Sequence, residues 1–266
     1  MILVFYAFAR EIAPFKRSLR NRAPLALEGL HGFHAEIGGK QFAVIGHGIG
    51  HRRATDTVGR AFDLIPETEL VIGTGVVGAL SSGLKPGDLV LADRLLTIDA
   101  DGKVAEQVTV VGEAHLRSVG RALASAGIAY STGAILTSHR VFTTAEKRLA
   151  KESTGAIAVD METAAIAAEA AGRGLPFVAI RAVLDEIDDE VVGAEMADQD
   201  GNVRPLAATS FLLRNPVTIL KLPRMIRNLS RATTTIADAI NAIAHEGKVP
   251  AAMKRARDPV AKKHPR

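Results

Sequence analysis

The sequence predicts a single α/β domain, and three observations carry that expectation. Short apolar runs alternate along the chain with stretches of helical periodicity. Glycine-rich turns follow several of the apolar runs, as where strands hand over to helices. One run, residues 176–184 (PFVAIRAVL), is almost wholly apolar, as in a strand covered on both faces. A chain of 266 residues that is 47% hydrophobic has room for one substantial core, and its 24 glycines suit tight turns rather than a fibrous repeat.

The elements follow in order. Met1–Ala7 reads as a first strand, and Arg10–Leu19 as a short helix that admits Pro14 in its first turns. Phe33–Ile37 and Phe42–Gly46 form a hairpin around Gly38-Gly39. A first glycine loop, Gly46-His47-Gly48-Ile49-Gly50, leads into a helix over His51–Leu64. Leu70–Gly73 is a strand feeding a second glycine loop, Gly73 to Gly78. Leu89–Ala92 follows the Pro86-Gly87 turn as another strand. A helix over Glu113–Ala126 precedes the strand Gly133–Thr137, and a helix over Ala145–Ser153 precedes the strand Ala156–Val159. A small-residue helix after Asp160 and the strand Phe177–Val183 complete the regular part.

The C-terminal quarter differs in composition. No acid falls between Asp200 and Asp238, whereas Arg204, Arg214, Lys221, Arg224, Arg227 and Arg231 do. From Ser210 aliphatic residues interleave with these cations, and Pro216 and Pro223 are expected to divide the stretch into short helices. A final helix spans Asn228–His245, and residues 250–266 form a basic tail expected to be disordered. The domain proper is therefore 1–249, with 191–231 as an inserted segment. Such cationic stretches seek phosphates or anionic lipid surfaces. A nucleic-acid arm is disfavoured because the segment offers little aromatic stacking surface.

Several functions are excluded or weakened. The chain has no cysteine, hence no disulfide, thiolate nucleophile or Cys-based metal site, which points to the cytoplasm. The opening residues lack a basic n-region and are broken by Arg10 and Glu11, so a core strand explains them better than a signal peptide. No stretch of about 18 apolar residues suggests a membrane span. Gly73-x-Gly75-x-x-Gly78 matches the dinucleotide fingerprint literally, but Ser81, Ser82, Gly83, Pro86 and Gly87 leave no room for the helix that the fingerprint requires.

Other polar residues stay ambiguous on their own. The first glycine loop can hold an oxyanion on free N–H groups, or it can be a tight strand-to-helix turn. Glu11 alone reads as a solvated acid in a helix first turn. Glu186 to Glu190, with no histidine beside them, read as a solvated acidic loop rather than a metal site. His47, His51 and His139 read as structural or exposed, and Met161 and Phe142 as core. Arg181 and Asp185 stand at or near the end of a buried strand, where open α/β sheets place ligands.

Taken in order, five motifs resemble the nucleoside phosphorylase and nucleosidase superfamily: MILVFYAFAREI, GHGIG, GTGVVGAL, AVDMETAAIA and IRAVLDEIDD. The resemblance covers Met1 to Asp189 and implies a three-layer α/β/α fold around a central mixed sheet, with a basic amphipathic helical segment appended. It also implies a homodimer or larger homo-oligomer, no metal and no cofactor, with phosphate as an alternative co-substrate to water. Carried onto this chain, it makes Asp185 the general acid at N7 of a leaving purine and Glu11 the acid that positions water. Glu162 would bind the ribose hydroxyls, with Met161 beneath the sugar, Val141 and Phe142 at the base, and Arg181 helping to hold the nucleophile. Gly75 and Val76 of the second glycine loop would line the substrate site. Such chemistry needs an acid for the purine and carboxylates for the cationic ribose.

The chain departs from that family where the nucleophile binds. Hexameric phosphorylases carry Arg and Ser at the positions of Gly73 and Val76, and the hydrolytic branch also has Ser at the latter. Glu11 favours water, because a carboxylate repels a phosphate dianion. Gly46, Gly48, Arg52 and Arg53 are the residues that would hold phosphate instead. The basic-aliphatic segment resembles the hopanoid-associated phosphorylase branch, which implies adenosylhopane as substrate and contact of 204–231 with the inner face of the membrane. Alternatives are a soluble 5′-methylthioadenosine/S-adenosylhomocysteine nucleosidase or purine nucleoside phosphorylase, in which the segment is an interface or lid helix, and a non-catalytic nucleoside-binding module.

Overall fold

In a computed structural model, which describes residues 1–98, 104–107, 113–189 and 217–245, the chain is an α/β fold built on ten strands. The strands are β1 (Ile2–Tyr6), β2 (Arg22–Pro24), β3 (His31–Ile37), β4 (Lys40–Gly46), β5 (Leu70–Ala79), β6 (Leu89–Ile98), β7 (Val104–Gln107), β8 (Tyr130–Thr137), β9 (Ala158–Asp160) and β10 (Phe177–Asp185). The helices among the described residues are α1 (Ala9–Ser18), α2 (His51–Leu64), α3 (Glu113–Ser125), α4 (Thr144–Thr154), α5 (Thr163–Gly172) and α6 (Val217–Ala244).

The sheet is mixed. β4, β1, β5 and β10 run parallel to one another in that order, and β3 and β2 extend the sheet antiparallel beyond β4. Beyond β5 the sheet closes on itself, because β10 pairs with β6, β6 with β8, β8 with β9, and β9 returns to β5. That closure sets β6, β8 and β9 antiparallel to β5 and β10, so the C-terminal end of β9 at Asp160 points back along β5.

Apolar burial explains the layers. On one face α2 contributes Ala54, Val58, Ala61 and Phe62, and α5 contributes Ala165, Ile166, Ala167 and Ala170, against Leu3, Phe5, Ile45, Val71 and Phe177. On the other, Ile12 and Phe15 of α1, Leu123 of α3, and Ile236, Ile240 and Ile243 of α6 cover Val4, Val44, Ile72, Val178 and Ile180. A third cluster lies under α4, joining Ala150 and Phe142 to Leu80, Leu96, Leu136 and Val159. The alanine-rich face of α5 lets it approach the sheet closely, with Ala164, Ile166, Ala167 and Ala170 fully enclosed.

Three expectations need correction. The second glycine loop is no loop: Gly73 to Gly78 lie inside β5, where β10 on one side and β9 at the end satisfy the backbone. Pro223 does not divide the C-terminal stretch, since α6 is one helix of 28 residues that contains it. A proline there forfeits one backbone hydrogen bond, while the far larger apolar face from Ala232 to Ala244 holds the helix to the domain. Glu186, Asp188 and Asp189 are not a free solvated loop, as described below. Residues 191–216, including Arg204 and Arg214, and the tail from 250 lie outside the described residues.

Candidate active site

Glu11 is not a solvated helix acid. It occupies the first turn of α1 but is only 2% exposed. Its Oε2 accepts from the N–H groups of Ala7 (2.7 Å) and Phe8 (3.2 Å), and its Oε1 from the N–H of Val76 on β5 (2.9 Å). The local sequence makes this possible: with three residues between Ala7 and Glu11, the carboxylate folds back over the helix start. Burial pushes Glu11 above the ordinary carboxylate range, opposed by the Val76 N–H and by the Arg181 guanidinium.

Gly75 makes the space for this arrangement. Its φ of +138° suits glycine alone, and a Cβ there would stand 2.5 Å from Arg181 Nη1 and 2.6 Å from Glu11 Oε1. Gly73 faces elsewhere: its missing Cβ would press on the Phe177 ring at 3.0 Å, within the core. A long cation at position 73 therefore has no path to the site in this chain.

Arg181 is fully enclosed and spans the sheet to the start of α5. Its Nε donates to Thr163 Oγ1 (2.9 Å) and its Nη1 to the Thr74 carbonyl (2.6 Å). Nη2 lies 3.1 Å from Asp160 Oδ2 as an ion-pair contact that is not aligned as a hydrogen bond. Asp160, at the end of β9, also accepts from Thr137 Oγ1 (2.8 Å), from the Thr163 N–H and from the Thr163 hydroxyl. A buried ion pair is sustained only when its remaining polar atoms are satisfied; apart from Arg181 Nη2 this network does that, and it fixes the start of α5 to the ends of β8 and β9 and to the middle of β10.

Glu162 precedes the first turn of α5 and is 6% exposed. Its Oε1 accepts from the N–H of Gly50 (2.7 Å), so the first glycine loop meets the Met-Glu motif directly. Burial, then the neighbouring Asp160 charge, pushes Glu162 up to about 8. Met161 beside it is half-buried. Within the same glycine loop His47 is 3% exposed, and burial drives it down to about 3, so its ring is neutral. Its Nδ1 is 2.6 Å from the Gly48 carbonyl, which can only accept, so Nδ1 carries the proton.

The residues considered for phosphate are placed as follows. The N–H of Gly50 is used by Glu162. Gly46 ends β4 under the Tyr6 ring, and Gly48 turns the chain with φ +78°. The Arg52 side chain is 95% exposed and faces Asp56 on its own helix at 3.9 Å. Arg53, half-buried one residue on, has interactions of its own.

At the other end of the site Asp185 closes β10, 9% exposed. Its Oδ2 is ion-paired with Lys147 of α4, which is itself 1% exposed and also donates to the carbonyls of Glu186 and Asp189, both at 2.9 Å. Burial pushes Asp185 above the usual range, and Lys147 pulls it back. A Cβ on Gly78 would lie 3.2 Å from Asp185 Oδ2. Gly75 and Gly78 are three residues apart on β5, so the Glu11 and Asp185 ends are separated by about 10 Å along the strand. Val141 is exposed, whereas Phe142 is buried in the cluster under α4.

The acids after Asp185 are held by cations from three elements. Lys85 pairs with Glu186, Arg148 with Asp188, and Arg224 of α6 with both Glu186 and Asp189. Among the described residues no cluster of three His, Cys, Asp or Glu side chains is arranged to hold a metal. Lys147, Asp160 and His47 were not assigned roles from the sequence. Lys147 left one trace there: it shares a helix face with Ala150, a position that a solvated lysine need not occupy.

Comparison with known proteins agrees with this architecture. A 5′-methylthioadenosine/S-adenosylhomocysteine nucleosidase of Haemophilus influenzae is 26% identical over 192 residues, spanning 67% of this chain and 83% of the relative. The fold matches that of futalosine hydrolase from Helicobacter pylori with a TM-score of 0.67 at 19% identity, over 92% of this chain and 97% of the other. It matches a Campylobacter jejuni 5′-methylthioadenosine/S-adenosylhomocysteine nucleosidase with a TM-score of 0.69 at 17% identity, over 92% and 98%. Fold and family together define an enzyme that cleaves N-glycosidic bonds. The chain belongs to the phosphorylase superfamily, whose sequence pattern matches residues 1–212.

Proposed function

We propose that the protein hydrolyses the N-ribosyl bond of an adenine nucleoside carrying a large 5′ substituent, and that adenosylhopane is its substrate. The observation that carries the hydrolytic reading is the buried Glu11, anchored beside Gly75 and Val76. Three of the roughly four lone-pair positions on its oxygens are used by backbone N–H groups, leaving one for a water. A carboxylate raised by burial is a stronger base towards that water than an ordinary one. The same buried negative charge opposes a phosphate dianion, and Arg52 faces solvent rather than offsetting it.

In this reading Glu162 holds the ribose hydroxyls while Met161 packs against the sugar. Asp185 protonates N7 as the bond breaks, and the segment at Val141–Phe142 reads the base. Arg181 acts through Thr163 and Asp160, keeping the start of α5 and hence Glu162 in place. Preorganised acids of this kind are worth ~10²–10⁴-fold each in rate.

The substrate's far end is assigned from α6. Around its midpoint the helix exposes Arg227 and Arg231, with Ile226 66% exposed beside them, a surface suited to headgroups and acyl chains, while Arg224 is engaged with Glu186 and Asp189. No helix among the described residues is long and apolar enough to cross a membrane, so contact would be at the interface. The relative from Haemophilus influenzae favours a second reading, in which 5′-methylthioadenosine or S-adenosylhomocysteine is the substrate.

One assay separates these. Purified protein is offered adenosylhopane in detergent, 5′-methylthioadenosine and S-adenosylhomocysteine, each with and without phosphate. Adenine release from adenosylhopane without phosphate, abolished in Asp185→Asn, is the expected result. Strict dependence on phosphate would overturn the hydrolytic reading, and turnover of only the small nucleosides would overturn the lipid substrate.

A further inference from the structure

The first turn of α4 joins two parts of the site that lie far apart in sequence. Thr143 caps the helix, and the Glu146 carboxylate folds back to accept from the Thr143 N–H (2.8 Å) and hydroxyl (2.9 Å). Glu146 also holds the Arg140 guanidinium, which lies 5.8 Å from the centre of the Phe142 ring. Glu146 thus fixes the backbone of the segment from Arg140 to Thr143. The next residue, Lys147, points the other way into the protein, and every hydrogen on its ammonium has an acceptor: Asp185 Oδ2 and the carbonyls of Glu186 and Asp189. A lysine almost wholly buried is costly to keep unless its charge is used.

We propose that Lys147 is the positioning residue of the leaving-group acid, orienting Asp185 and stabilising the carboxylate that remains once its proton has passed to the base. The proposal rests on the reading of Asp185 as the acid at N7. Lys147 is saturated by its three acceptors and does not itself touch the base. Because it takes Oδ2, the oxygen left to face the purine is Oδ1.

The step balances without further reactants. The bond from the anomeric carbon to the purine breaks, and its electron pair goes to the base. N7 takes the Asp185 proton, so the base departs neutral, while a water oxygen bonds the anomeric carbon and yields its proton to Glu11. Asp185 is left as a carboxylate against the Lys147 ammonium, and exchange with solvent resets both acids.

The charged surroundings of Asp185 favour this role. Asp189 raises Asp185 further, and Glu186 lies next to it in sequence. Their charges are met at the surface by Lys85 from the β5–β6 connection and Arg224 from α6, while Arg148 meets Asp188. Among the described residues, the cation in contact with Asp185 itself is Lys147.

The test uses the full chain with 5′-methylthioadenosine as probe, reading kcat and KM separately from about pH 5 to about pH 9. Lys147→Met should lower kcat by ~10²-fold with KM changed less than about threefold. It should also move the alkaline limb of the kcat profile to higher pH, because an acid without its cation holds its proton longer. Lys147→Arg should return the limb towards its original place. Asp185→Asn and the double variant Lys147→Met/Asp185→Asn, which leaves no unpaired buried charge, should share one residual rate.

An unmoved limb with undiminished kcat in Lys147→Met overturns the proposal. So does a further ~10-fold loss in the double variant over Asp185→Asn, since Lys147 would then act independently of the acid. Wild-type turnover in Asp185→Asn would instead remove the acid assignment itself, and the proposal with it.

Discussion

Gly75→Ala tests whether the packing of Glu11 against Arg181 is a requirement of the site. The added methyl would meet Arg181 Nη1 at 2.5 Å and Glu11 Oε1 at 2.6 Å, with φ at +138°. Holding an alanine in that region costs about 1–3 kcal/mol. Moving Glu11 off the Val76 N–H breaks a charge-assisted hydrogen bond, about 1.5–3 kcal/mol more. The combined loss is about 2.5–6 kcal/mol, which for a chain of this size lowers Tm by roughly 10 °C. Displacing Glu11 by about 1 Å should also reduce kcat by ~10²-fold. Gly127→Ala is the control. Its φ is +73° and nothing lies within 4 Å of the added methyl, so it carries only backbone strain, about 1–2 kcal/mol, and should leave turnover unchanged. Urea unfolding and nucleoside turnover are measured on both variants. If Gly75→Ala loses no more stability than Gly127→Ala and keeps wild-type turnover, the reasoning from that close contact is wrong.

Two further outcomes follow from the same network. The folded state favours protonated Glu162, so its contribution to stability is present at low pH and is lost as pH rises from about 4.5 to about 8. Thermal unfolding of wild type and Glu162→Gln should therefore diverge in the variant's favour across that window, and parallel curves would refute the buried carboxylate. Arg181→Met leaves Asp160 as a buried charge without its partner, an expected loss of about 3–5 kcal/mol in urea unfolding. Thr163→Val removes one hydroxyl from the same network and should cost about 1–3 kcal/mol, and equal losses would mean that the ion pair is not what holds α5.

The strands were legible because apolar periodicity is a local property. β1, β4 and β10 fall where their apolar runs lie, and the Gly38-Gly39 turn sits between β3 and β4 as expected. β5 was cut short at Gly73, since glycine spacing looks the same in a loop and in a strand whose backbone must approach other groups. Pro223 misled for a related reason. Its local penalty is visible in the sequence, whereas the burial of Ile236, Ile240 and Ile243 that outweighs it depends on α1, α3 and the sheet.

The sequence by itself determined the family, the order of the elements and the presence of acids at Glu11, Glu162 and Asp185, because short motifs record which residue follows which strand end. It could not determine what surrounds those acids. Glu11 in a first turn and Glu186 to Asp189 in a loop both read as solvated charges, and Lys147 carried no reading at all. Only the tertiary structure decided that Glu11 is buried against Val76, Lys147 against Asp185, and Glu186 to Asp189 latched by Lys85, Arg148 and Arg224. The physical reason is that a charge's environment is set by partners from distant segments. Those partners meet only when the sheet closes.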